Sequence, residues 1–344
     1  MPQDLTPPDP SPVLELLSAY RKSKVLFAAV SLGVFEALAD QAKPAGVLAQ
    51  ELGTDADALE RLLHACVMLG LLRQESGGFQ NTPAATVYLT QASPNRMLGY
   101  ARYTDAVLWG MWGHFTDAIR EGSHRWKQTY GLDGPLFSHF FRTPEQTREF
   151  LMGMHGYGLL SSPAVVNAVD FSGYRTLVDL GGATGHLAIA ACQRWPNLRG
   201  VVFDLPVVVP LAEEIIAAAG MTDRVTTVAG DFFTDPLPPG DLYALGRILH
   251  DWTEEKILRL LRTIFAALPP GGSLLVAEKL LNDDKNGPEW AVLQSLNMLV
   301  CTEGKERTLA EYAELVEQVG FREVIGVRTA SPTDLILATK PRAG

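Results

Sequence analysis

Residues 176–186 read TLVDLGGATGH: a short apolar run, two glycines, a third glycine after two small residues, and the start of a helical pattern that continues as HLAIAACQRW. A strand that runs into a glycine-rich turn and a helix opens an α/β sheet whose ligands lie at the carboxyl ends of the strands. Downstream, RGVVFD (199–204), RVTTVAG (224–230), DLYALG (241–246) and SLLVAE (273–278) alternate with helical stretches. That rhythm predicts a parallel sheet. Near the end, FREVIGVRT and TDLILATK lie close together and read as a hairpin at one edge. The glycine spacing is not the dinucleotide fingerprint, which would need glycine at Ala183, and no G-K-[ST] follows to cradle a phosphate.

The strand ends carry the first candidate site. Gly181, Gly182 and Gly185 remove side chains where a ligand lies against backbone. Asp204, followed by Leu205, ends the second strand, where a carboxylate can accept both hydroxyls of a ribose. The third strand ends in Gly230, Asp231 and Phe232, a carboxylate and a ring suited to a base. Singly, a glycine turn or a terminal aspartate is ordinary loop chemistry; three successive strand ends bearing them point to a nucleoside without a pyrophosphate. S-adenosylmethionine is such a molecule.

The fourth strand runs into RILHDW (247–252), which places Arg247, His250, Asp251 and Trp252 on the ligand side. A histidine titrates near neutrality and suits general-base work. Methyl transfer from a sulfonium to a hydroxyl is a direct displacement with a good leaving group. It needs alignment and removal of the hydroxyl proton, and no metal. Glu278 ends the fifth strand and Glu306 lies in TEGKERT (302–308), ahead of a helix. Either carboxylate can accept the imidazole's other N–H and fix its tautomer; the plain alternatives are a solvated strand end and a helix start.

Two further segments look strained for ordinary structure. In PEWAVLQSLNMLV (288–300), Trp290, Leu293, Asn297 and Val300 share a helical face, so Asn297 interrupts an apolar stripe, with Met298 and Cys301 beside it. A buried amide needs partners, either a substrate or the backbone. In FLMGMHGYGLL (150–160), Gly153, Gly156 and Gly158 sit where a helix is expected, each costing roughly 1 kcal/mol against alanine. Close packing would explain them, with Met154, His155 and Tyr157 lining an adaptable pocket.

The rest of the chain sets bounds. Its 344 residues correspond to about two domains, read as a helical unit over 11–160 and an α/β unit over 161–344, with a linker near 160–174. The first ten residues read as a disordered leader, without the basic and apolar pattern of a secretory signal. A helix starts at Ser11, with Val13, Leu16, Leu17 and Tyr20 on one face, and a second apolar helix runs from about Val25 to Leu38. The apolar stretch 25–38 is too short to span a bilayer. Residues 44–82 read as helix, turn, helix and a hairpin tipped by Gly77 and Gly78, a winged-helix pattern with Asp55 as a cap. That segment holds two basic and five acidic residues, a local charge of −3, where a DNA reader needs several cationic contacts. The whole chain balances 29 Lys and Arg against 39 Asp and Glu, a charge of −10, which also argues against nucleic acid. The three cysteines, Cys66, Cys192 and Cys301, show no C-x-x-C spacing. They fit a reducing, cytoplasmic setting.

Taken together, VFDLP (202–206), GDFFTDPLP (230–238), RILHDW and SLNMLVCTEGKERT (295–308) resemble the small-molecule O-methyltransferases of the caffeate and acetylserotonin type, nearest the acetylserotonin branch. The similarity runs from residue 13 to residue 340. It implies a helical, winged-helix-like dimerisation domain followed by a Rossmann-like S-adenosylmethionine domain. It assigns cofactor contacts to Gly181, Asp204, Asp231, Phe232 and Arg247, makes His250 the base supported by Asp251, Glu278 and Glu306, and makes Asn297 a substrate contact. It also implies an intertwined homodimer. Animal members of that branch carry glutamine at the position of Cys301, and a tyrosine and a tryptophan at those of Phe141 and Gly158. The cofactor machinery is therefore kept while the acceptor pocket differs. The expected activity is O-methylation of a small aromatic hydroxyl. The rivals are a cofactor-binding relative with a different chemistry and a metabolite-sensing winged-helix regulator.

Overall fold

The computed structural model describes residues 8–342; residues 1–7 of the expected leader lie outside the described residues. The chain divides into two compact units, with the division between Ala106 and Val107. The expected break lay some fifty residues later. It moves because the long helix Pro144–Ala168 packs on the helix after the glycine turn and lends Val165 and Val166 to the core of the second unit.

In the first unit, one helix spans Ser11–Leu32 instead of the two that were expected. No breaker interrupts it before Gly33, which closes it with a left-handed φ of 79°. Its second half buries Phe27, Ala29 and Val30, whereas Val13, Leu16, Leu17 and Tyr20 are 54–77% exposed. The winged-helix reading holds. Helices Ala45–Leu52 and Ala56–Met68 are followed by an antiparallel hairpin, β1 (Leu72–Glu75) and β2 (Gly78–Asn81). Asp55 caps the second helix, its carboxylate accepting the amide of Ala58 at 2.8 Å. Gly78 is held by contact as well as conformation, since a Cβ there would fall 2.3 Å from the Lys43 backbone.

The second unit carries a seven-stranded sheet: β3 (Thr176–Leu180), β4 (Arg199–Asp204), β5 (Val225–Ala229), β6 (Leu242–Gly246), β7 (Ser273–Glu278), β8 (Arg322–Val327) and β9 (Asp334–Thr339). Their spatial order is 5-4-3-6-7-9-8. The five expected strands are parallel. The last two form the predicted hairpin, with β9 antiparallel to both β7 and β8. Strand order reverses between β3 and β6, the place where open α/β sheets bind ligands. Strands β3, β6 and β7 are almost wholly buried, as expected for a sheet covered on both faces. Among the described residues, no helix is long and apolar enough to cross a membrane.

Candidate active site

Four consecutive strand tips meet around the glycine turn. Gly181 and Gly185 take φ of 66° and 76°, which a side chain would strain. Space forbids one too: a Cβ on Gly181 would lie 2.5 Å from Ile248 Cδ1, and one on Gly182 would lie 2.8 Å from the Asp179 carboxyl. Asp204 is tied to this turn, its Oδ2 accepting the amide of Ala183 at 2.8 Å and its Oδ1 that of Leu205 at 2.7 Å. Burial, partly offset by those amides, pushes the Asp204 carboxyl up to about 6. Gly230 donates its amide to the Asp204 carbonyl, and the Phe232 ring approaches the Gly181 position to 3.4 Å. Asp231 commits Oδ1 to the amide of Phe233, which shapes the turn that presents Phe232. Asp204, Leu205, Gly230 and Phe232 thus gather around the glycine turn. These donors suit a nucleoside and lack the lysine of a phosphate cradle.

Beneath the turn lies a group that the sequence reading did not single out. Asp179, in the middle of β3, is buried with Oδ2 unpartnered, and burial pushes its carboxyl up to about 7. An orphaned buried oxygen below a ligand-facing loop is an incomplete polar site. An acid inside the apolar run TLVDL was the available signal.

His250 sits on a short 3-10 turn, Leu249–Asp251, just past β6. It is 4% exposed. Its Nδ1 is 2.6 Å from Glu306 Oε1, which makes Glu306 the hydrogen-bond acceptor, while Glu278 Oε2 stands 3.3 Å away. Glu278 also braces the turn itself, because its Oε1 accepts the backbone amides of Ile248 and Leu249 at 3.0 and 2.9 Å and lies 3.4 Å from that of His250. Glu306 is not a helix start; the helix Leu309–Val319 is capped by Thr308 with Glu311. Asp251 Oδ1 lies 3.8 Å from His250 Nε2. Burial disfavours a charged ring, yet Glu278, Glu306 and Asp251 outweigh it and push the imidazole up to about 10. Burial in turn raises Glu278 to about 7 and Asp251 to about 6.

The donor atoms of His250, Glu278 and Glu306 lie within 4.8 Å of one another. A single ion at about 2.1 Å from each ligand would hold two of them about 3 Å apart or more. The 2.6 Å separation of Nδ1 and Oε1 is instead that of a charge-assisted hydrogen bond.

Arg247 adopts φ 58°, a conformation costing on the order of 1–3 kcal/mol. Its guanidinium lies 4.9 Å from the centre of the Tyr157 ring, which in turn faces Trp290 at 5.6 Å. Tyr157, Met154 and His155 are half-buried on the 144–168 helix. His155 Nδ1 contacts the Thr184 hydroxyl of the glycine turn at 2.8 Å. Gly153, Gly156 and Gly158 are buried as expected. At Gly158 a Cβ would fall 2.2 Å from the His186 ring, which occupies that space and bonds Ser162 at 2.8 Å.

The remaining expected substrate contacts have protein partners in this structure. Of the stripe that Asn297 interrupts, Val300 is fully buried whereas Trp290 and Leu293 are 39% and 50% exposed, so the face is covered at one end only. Asn297 finds neither a backbone partner nor an empty environment: its Oδ1 accepts the indole N–H of Trp112 at 2.9 Å. Met298 and Cys301 are buried, and the Cys301 thiol bonds the Asn297 carbonyl at 3.0 Å. Trp252 packs between Phe137 and Phe233 at 5.4 and 5.0 Å, as part of an aromatic cluster. These side chains support the site from within.

Comparison with known proteins gives a consistent answer. Residues 112–322 match the family model of the O-methyltransferase domain, and residues 14–91 that of the O-methyltransferase dimerisation domain. The chain is 39% identical to acetylserotonin O-methyltransferase of Bos taurus over 333 residues, 95% of this chain and 96% of the relative. It is 40% identical to 3-hydroxy-5-methyl-1-naphthoate 3-O-methyltransferase of Streptomyces sahachiroi over 331 residues, covering 95% and 94% of the two chains. The crystal structure of human N-acetylserotonin methyltransferase in complex with S-adenosylmethionine superposes with a TM-score of 0.93 at 35% identity, covering 99% of this chain and 100% of the other.

Proposed function

The chain belongs to the S-adenosylmethionine-dependent O-methyltransferases that carry an N-terminal dimerisation domain, and on that premise we propose that it methylates a hydroxyl of a small aromatic metabolite (phenolic, indole or polyketide-like) with His250 as general base and without a metal. The observation that carries the reading is the buried pair formed by His250 Nδ1 and Glu306 Oε1 at 2.6 Å. Glu306 takes Nδ1–H in either charge state; once the ring, held up at about 10, has given up its other proton, Nε2 carries the lone pair that accepts from a substrate hydroxyl.

When bound, S-adenosylmethionine supplies an activated methyl group on a positively charged sulfur. Gly181, Gly182, Gly185, Asp204, Leu205, Gly230, Asp231, Phe232 and Arg247 hold its nucleoside end. The acceptor lies against Tyr157 and Trp290, with Met154, His155 and Asn297 around it and Met298, Cys301 and Trp252 behind. His250 would take the hydroxyl proton at Nε2 and so ready the oxygen for the methyl group that the bound sulfonium would give up, leaving as the neutral thioether. Glu306 and Glu278 stabilise the imidazolium that results, and Asp251 adds a third negative neighbour. Alignment supplies several kcal/mol, and a positioned base adds about 10²–10⁴-fold.

The exposed apolar residues Val13, Leu16, Leu17 and Tyr20 support a homodimer formed through the dimerisation domain. The enzyme reading is tested by incubating the protein with S-adenosylmethionine and a panel of phenols, naphthols and hydroxyindoles. The expected result is equal amounts of methyl ether and S-adenosylhomocysteine. Conversion of the aromatic compound without S-adenosylhomocysteine would sink it and favour a relative with another chemistry.

A further inference from the structure

His186 opens the helix His186–Arg194, directly after Gly185 of the glycine turn. Its ring stands where a side chain at position 158 would lie, 2.2 Å from a Cβ placed there. Nδ1 is 2.8 Å from the Ser162 hydroxyl, and the surroundings of that hydroxyl settle where the protons are. Ser162 is 3% exposed, and its hydroxyl has no other hydrogen-bond partner among the described residues. Were Nδ1–H the donor, the buried hydroxyl hydrogen would be left without an acceptor, which buried polar groups avoid. Ser162 therefore donates to Nδ1, and the hydrogen of the ring sits on Nε2. That nitrogen makes no hydrogen bond among the described residues, on a side chain that is only half-buried. Burial, with His155 and the Arg247 charge adding to it, pushes the imidazole down to about 3, so the ring is a neutral donor near neutral pH.

We propose that Ser162 holds His186 in the Nε2–H tautomer, so that the ring donates a hydrogen bond to the carboxylate at the amino-acid end of S-adenosylmethionine. The inference rests on the cofactor assignment and is independent of which acceptor is methylated. Asp204 and Phe232 stand at the tips of β4 and β5, and His250 follows β6. Strand β3, which feeds the glycine turn, lies between β4 and β6. A nucleoside held by Asp204 and Phe232, with its sulfur toward His250, leaves the amino-acid arm beside that turn and next to His186. A carboxylate there needs donors, and the turn TLVDLGGATGH supplies no lysine or arginine. His186 supplies a directed N–H, and the positive charge of Arg247 favours an anion at the same spot. The opposite tautomer would set a nitrogen lone pair against the carboxylate. Ser162 is a positioning residue, acting on the cofactor only through the ring.

The test is calorimetric binding of S-adenosylhomocysteine, and of its decarboxylated aminopropyl analogue, to the full-length protein. The analogue keeps the adenosine, the thioether and the amine and lacks only the carboxylate. The unmodified chain is expected to bind S-adenosylhomocysteine about tenfold more tightly than the analogue, or better. His186→Phe keeps a ring beside Gly158 and removes the donor; it should weaken S-adenosylhomocysteine about tenfold and leave the analogue as it was. Ser162→Ala frees the tautomer and should weaken S-adenosylhomocysteine by a smaller factor, again sparing the analogue. Equal affinities in the unmodified chain, losses that fall on both compounds alike, or an undiminished preference in either variant would overturn the proposal. Binding of neither compound by the unmodified chain would overturn the cofactor assignment along with it, which keeps the two failures apart.

Discussion

Nδ1 of His250 lies 2.6 Å from Oε1 of Glu306, and both groups are buried. The sequence left open which of two carboxylates orients the imidazole. Glu306 bonds the ring, and Glu278 holds the backbone turn on which the ring is mounted.

Replacing His250 with alanine removes the proposed base and leaves the glycine turn untouched. Turnover should fall by about 10²–10⁴-fold, while calorimetry with S-adenosylhomocysteine gives an affinity close to that of the unmodified chain. Near-normal turnover would remove His250 from the chemistry.

Glu306→Gln keeps the shape of the acceptor and removes one negative neighbour of the ring. Those neighbours hold the imidazole up at about 10, so losing one lowers its pKa. A base must be neutral at Nε2 to accept a proton. The rising limb of kcat/KM against pH should therefore move to lower pH in the variant, with a reduced plateau. A limb that stays in place would show that Glu306 does not tune the ring.

Asp179 keeps its proton in the folded chain up to about pH 7, against an ordinary value of 3.8, because it is buried. Between these values the unfolded chain has lost a proton that the folded chain retains, so this group makes stability fall as pH rises. Asp179→Asn carries no such proton. Its melting temperature relative to the unmodified chain should climb from about pH 4 to about pH 7; a constant difference across that range would contradict the burial argument.

Gly158 and the His186 ring share one volume, with only 2.2 Å between the ring and a would-be Cβ. Gly158→Trp alone should destabilise the fold by about 1–3 kcal/mol or more. Combining it with His186→Ala should recover a large part of that loss, a non-additivity expected of residues in contact. Chemical denaturation of the two single variants and the double variant measures it.

Much of this was legible beforehand. The alternation of apolar runs and helices from Thr176 to Thr339 gave the sheet, and residues at strand ends such as Asp204, Phe232 and His250 could be placed on the ligand side from topology alone. What periodicity could not convey was partnership between distant positions. Trp112 and Asn297 are 185 residues apart in the chain, and nothing in either local stretch announces the other. The stripe of Trp290, Leu293, Asn297 and Val300 is covered only at Val300, because spacing identifies a helical face without saying how far it is covered. Ser11–Leu32 was read as two helices because its apolar face changes character midway, although no glycine or proline intervenes before Gly33.

Glu278 belongs to the sheet and grips the turn that carries the imidazole, so the ring's aim is set when the protein folds and is not renegotiated at each catalytic cycle. That separation is useful to a protein engineer. The proposed aromatic walls, Tyr157 and Trp290, can be redecorated for a new acceptor while the proposed proton-removing apparatus is inherited unchanged from the scaffold.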